Sequence, residues 1–165
     1  MIFLNKHKNN LYNILLKLSR NIFFYEKIKL PDTFETRIYL IFIHFSIFMI
    51  IAKKKGSKFD QRSYDSLFNN IEYNLRELGF GDVTVNKKMK ELNKILYDIL
   101  LKIDLKKEKK NEFKMNSDLI KNYFMLLNDN DGEKLAKFND YFQNFFDFCF
   151  EQQLDNMIEE AIKFK

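Results

Sequence analysis

Tryptophan is absent from this chain, cysteine and proline occur once each, and glycine only four times. The single cysteine, Cys149, excludes an internal disulfide and any cysteine-built zinc site, so a reducing compartment is permitted. Four glycines and one proline leave few tight turns. That scarcity argues against a sandwich or barrel of many hairpins and for a few long helices. The two histidines, His7 and His44, and the lone thiol carry no local mark of an activated nucleophile–base pair. No phosphate-binding glycine loop occurs, because the Gly79-Phe80-Gly81 run follows a helical pattern rather than a strand. The opening MIFLNKHKNN lacks the basic-then-apolar order of a secretory signal, and Glu26 and Asp32 come too early for an acid-poor transit peptide. A bacterial cytoplasmic protein is therefore expected, with the cytoplasmic face of the inner membrane as a further, peripheral position.

What is present is apolar and basic. The composition is 46% hydrophobic and 31% charged, which is globular rather than disordered. At 165 residues the chain is expected to form one helical domain, 1–165, burying about two-thirds of its unfolded surface. The net charge of +5 permits contact with anionic lipid or RNA without specifying it. Abundant Lys, Asn, Ile and Phe resemble the drift of an A+T-rich genome, so part of that charge is compositional.

Helical spacing runs from Asn10 to Lys27, with Leu11, Ile14, Leu15, Leu18, Ile22 and Tyr25 on one face. Pro31 then disfavours helix at Leu30, and Asp32 or Thr33 is placed to cap the next segment, Phe34 to Lys55. Its stretch Ile38–Ala52 is interrupted only by His44 and Ser46. Two readings suit it: a buried central helix, which is favoured, or a segment touching the membrane. A lone His there reads as a hydrogen-bonded core residue. Cys149, between two phenylalanines, reads as a small buried hydrophobe.

After Gly56-Ser57, the positions Tyr64, Leu67, Phe68, Ile71, Leu75 and Leu78 form a second stripe, which Gly79 ends. Val85, Met89, Leu92, Leu96, Ile99 and Ile103 form a third, beside a solvated face of Lys87, Lys90, Glu91 and Lys94. The charged LKKEKKNEFK reads as a solvated connection. Ser117 is placed to cap a short helix ending near Leu127, Asn128–Gly132 is a turn, and helices follow over Glu133–Phe150 and Leu154–Phe164. The NDNDG turn is no calcium loop, since its first and twelfth positions are Leu127 and Phe138. The aromatics lie at core spacings, so the sheet-based RNA-binding signature is absent. These patterns together predict an all-α domain with one highly apolar central helix.

The corner from Leu75 to Lys90, LRELGFGDVTVNKKMK, holds the rest of the interest. One reading is structural: two glycines for backbone freedom, Asp82 or Thr84 as an N-cap, and lysines on a wet face. The other is a docking surface with basic side chains presented from a rigid helix start. Pattern alone leaves both open.

The order of residues goes further. LPDTFETR (Leu30–Arg37), His44, and QRSYDSLFNNIEYNLRELGFGDVTVNKKMKEL (Gln61–Leu92) resemble the ubiquinol–cytochrome c chaperone family. The hallmark is a helix ending in LRE, a Gly-hydrophobic-Gly-Asp corner and a Val-x-Lys-Lys-Met-Lys start. The likeness covers Tyr12–Phe150 and is strong over Pro31–Leu92. In place of the family's Gly-Arg after an aromatic pair, this chain has Asp98-Ile99 after Leu96-Tyr97.

The resemblance implies an all-α, non-enzymatic assembly factor for complex III, with newly made cytochrome b as client. It also implies a second assembly factor, the ribosome and the membrane surface as neighbours. No cofactor, metal or DNA is expected. The implied partner-binding residues are Arg37, Arg76, Glu77, Gly79, Gly81, Asp82, Lys87, Lys88 and Lys90. Arg37, Arg76 and Lys87 would pair with client carboxylates or phosphates, while Glu77 and Asp82 fix the corner. The alternative is a basic helical module on ribosomal RNA or anionic membrane, without a client.

Overall fold

The fold is organised around one helix that avoids water on nearly every side. The computed structural model describes residues 2–104, 114–115, 117–124 and 132–165, with side chains from residue 11 onward except at 104, 114, 117 and 118. Helix α3 (Phe34–Lys54) has 14 buried residues among its 21. It is long and apolar enough to cross a membrane by length and composition, yet here it is the buried centre of a helical bundle. Each Ile or Phe fully buried along it contributes about 1.5–3 kcal/mol.

Its start is set by Thr33, whose side chain accepts from the Thr36 N–H at 3.2 Å. Of the two predicted caps, Thr33 is the one used. Asp32 instead pairs with Arg37 Nε at 2.9 Å. The last turn carries Lys53 and Lys54, favourable at the negative end of the helix dipole.

Four helices cover α3 or its neighbours. Helix α1 (Ile2–Ser19) lies against α3 and α4 (Gln61–Glu77), and α5 (Asp82–Lys102) against α3 and α4. Helix α7 (Gly132–Phe150) closes the remaining side of α3 with Phe138, Tyr141, Phe142, Phe145 and Phe146. Asp60 caps α4 by accepting from the Arg62 N–H. The all-α class and the apolar central helix are as the sequence indicates.

Five details differ from expectation. The first helical stripe breaks at Arg20-Asn21, and Asn21 caps a separate short helix, α2 (Ile22–Glu26), by accepting from the Phe23 N–H. Ile22 therefore leaves the core face and is 63% exposed. Leu78 lies past the end of α4 and is likewise exposed. Ile103 and Asp104 (β1) pair antiparallel with Met115 and Lys114 (β2), a two-residue ladder that brings buried Ile103 and Met115 together. The charged connection between them lies, apart from Lys114, outside the described residues. Helix α6 (Ser117–Tyr123) begins at Ser117, which is its first residue rather than its cap, and ends short of Leu127, itself outside the described residues along with most of the NDNDG turn. The C-terminal helix is shorter than expected, only α8 (Met157–Glu160) and a 3-10 turn, Ala161–Lys163.

Candidate functional site

The corner between α4 and α5 is locked by its backbone and by one arginine. Helix α4 ends with the Leu78 N–H donating to Asn74 O and the Gly79 N–H donating to Arg76 O, each at 3.0 Å. Gly79 has φ +95°, a left-handed conformation that a Cβ disfavours. Gly81, with φ −76°, needs no such freedom. It is the N-cap residue of α5, and its carbonyl accepts from the Val85 N–H at 2.9 Å. This corrects the expected cap: Asp82 is the first helical residue and Thr84 lies within the helix, so neither caps it.

Asp82 has a different task. Arg76 donates through Nη1 to Asp82 Oδ1 and through Nη2 to Glu72 Oε1 at 3.1 Å. One guanidinium thus ties the last turn of α4 to the first turn of α5. The hydrogen bonds that Arg76 donates to Asp82, then to Glu72, raise its pKa above the ordinary value. A carboxylate in the first turn of α5 also suits the positive end of that helix's dipole. Glu77 is exposed and makes no ion pair among the described residues.

Around this lock the surface is apolar as well as basic. Leu78, Phe80 and Val83 are 59%, 39% and 84% exposed. Lys88 lies over the Phe80 ring, 4.8 Å from its centre. Lys87 and Lys90 are exposed and unpaired among the described residues. Residue spacing does not reveal this apolar rim, because Leu78 extends the core spacing of α4 and Val83 resembles the start of the next stripe. Arg37 is not drawn into the corner; it is held by Asp32 at the start of α3.

Elsewhere the reactive groups are committed to the core. His44 Nδ1–H donates to Leu40 O at 2.6 Å, and Nε2 accepts from the Tyr141 hydroxyl at 3.0 Å. Burial pushes the Tyr141 hydroxyl pKa up, and the neighbouring Asn21 side chain opposes that in part. Burial holds the His44 pKa down at about 4, and the Leu40 bond opposes that only in part. Burial pushes the Cys149 thiol up to about 12, so the inert thiol persists at neutral pH. Among the described residues no three His, Cys, Asp or Glu side chains are grouped to hold a metal ion.

A family model described as Ubiquinol-cytochrome C chaperone matches residues 26–164. This chain belongs to that family. No curated protein and no solved structure matches it significantly. The match begins later than Tyr12 and runs past Phe150, so family character extends through α7 to the C-terminal turn, where the residue-by-residue likeness fades.

Membership gives the Asp98 departure a setting. In this family member Asp98 accepts hydrogen bonds from the Tyr123 hydroxyl on α6 and from Lys102 Nζ at 3.0 Å. Those bonds, Tyr123 first, lower its pKa. The negative charge is answered within the fold and pins α6 to α5.

Proposed function

We propose that this family member is a non-catalytic chaperone for assembly of ubiquinol–cytochrome c reductase, with newly made cytochrome b as its client. The observation that carries the reading is the family match across residues 26–164. The corner supports it physically. A client caught before assembly exposes apolar surface, and Leu78, Phe80 and Val83 offer an apolar rim on a rigid turn. In this reading Arg76, Gly79, Gly81 and Asp82 set the shape and Glu77 stands exposed beside them, while Lys87, Lys88 and Lys90 supply positive charge. Arg37, held by Asp32 at the start of α3, is not part of this corner. Such a client is synthesised at a membrane, so the chaperone works at the cytoplasmic face of the bacterial inner membrane, beside the ribosome and a second assembly factor.

The test is affinity purification of the full chain from solubilised membranes, with mass spectrometry of what accompanies it. Cytochrome b should be enriched over other membrane proteins, and a Phe80→Asp/Val83→Asp variant should lose it at unchanged helical content. Purification without cytochrome b refutes the client assignment.

A second reading is favoured by the unpaired lysines of α5: a basic module on ribosomal RNA or anionic membrane. Its signature is a steep fall in affinity with salt, set by the number of phosphates neutralised.

A further inference from the structure

Helix α5 buries Val85, Leu92, Leu96 and Ile99, but a different line of side chains runs along its open side. Val83, Lys87, Lys90, Lys94, Tyr97 and Leu101 follow one another at steps of four and three, and all are exposed. That spacing is a straight seam along one helix, about 27 Å long at 1.5 Å per residue. Its ends are apolar: Val83 and Leu101 are 84% and 83% exposed, and Tyr97 54%. Its middle is three lysines without an ion-pair partner among the described residues, and Glu91, on its border, pairs with none of them. Like charges three and four residues apart repel, and the single Glu91, four residues from Lys87 and three from Lys94, offsets only part of that charge.

We propose that this seam seats an acidic amphipathic helix of a protein partner, with apolar residues at its ends and carboxylates at its centre. The seam periodicity is the one a second helix reads, and the charge calls for Glu or Asp opposite Lys87, Lys90 and Lys94. A nucleic acid would satisfy the lysines but leave Val83 and Leu101 uncovered. The seam shares Val83, Lys87 and Lys90 with the corner proposed for the client, whereas Lys94, Tyr97 and Leu101 lie beyond that corner and belong to this partner alone. Because the crosslink is read at Tyr97, outside the client corner, its failure is distinguishable from failure of the client assignment.

The experiment places a photo-crosslinking amino acid at Tyr97 of the full chain in the source cells and sequences the attached segment. The expected adduct is a protein segment with acidic residues at three- and four-residue steps between apolar ones. Lys87→Glu/Lys90→Glu/Lys94→Glu should lower its yield at least tenfold. Exchanging the facing carboxylates of the partner for lysine should restore it. Circular dichroism checks that the triple variant keeps its helices; if it does not, the triple Lys→Gln variant, with the same expected loss, replaces it. A nucleotide or lipid adduct, a basic segment, an adduct indifferent to the lysine changes, or no adduct overturns the proposal.

Discussion

Tyr141 on α7 donates a hydrogen bond from its hydroxyl to Nε2 of His44 on α3, 3.0 Å away in the centre of the core. The two residues are 97 positions apart, so the bond ties an early helix to a late one. It also fixes which charge state the fold accepts. His44 is neutral when folded, with its pKa down at about 4, whereas the unfolded chain binds a proton near 6.5. The folded pKa is the lower one. Stability from this group is therefore complete above about pH 6.5 and lost as pH falls towards 4, by about 3 kcal/mol in all. Urea unfolding at pH 7, 5.5 and 4.5 should show a steeper acid loss for the natural chain than for His44→Gln. Equal slopes would remove His44 as the cause.

Phe142 is fully buried, with its ring 4.9 Å from His44 and 5.1 Å from Phe138. Phe142→Ala leaves a cavity in a ring-lined core that has little freedom to collapse, at a cost of about 3–5 kcal/mol. Chemical denaturation should find that loss with an unchanged slope.

The two corner glycines should respond differently. Gly79→Ala puts a Cβ on a residue at φ +95° and costs about 1–2 kcal/mol, although no atom stands in the way. Gly81→Ser places a good capping side chain on an extended N-cap and should be neutral or stabilising by a few tenths of a kcal/mol. Thermal melts of both variants test the pair; equal destabilisation would contradict the backbone argument.

Asp98 and Tyr123 should behave as one unit. Asp98→Ala and Tyr123→Phe each remove the same hydrogen bond, at about 1 kcal/mol apiece. The double variant should then lose less than the sum of the two. Additive losses would mean that the bond contributes nothing.

Much of the fold is readable from residue order because its cues are local. Pro31, Thr33, Asp60 and Gly79 punctuate helices by their own backbone chemistry, and the stripes of α4 and α5 face the core as their spacing requires. The break at Arg20-Asn21 is harder to see, since no Gly or Pro marks it and the apolar spacing continues across it. Asn21, a good capping residue, is its one local signal. The corner is legible as a corner. Its apolar rim is not, because spacing cannot say where a stripe leaves the core. The Arg76–Asp82 bond is hidden for another reason: it depends on how the turn folds back, and nothing in the two flanking helices encodes that angle.

The burial of α3 also sets a problem of timing. Its most apolar stretch has a mean hydropathy of 1.7, and the phenylalanines of α7 that close one side of it are synthesised last among the long helices. At about 5–20 residues per second, the roughly one hundred residues from Ala52 to Phe150 take about 5–20 s to make. Throughout that interval the nascent chain offers a segment that, by length and apolarity, qualifies as an anchor. The apolar side of α3 that α7 covers therefore stays without its partner until the second half of the chain has been made.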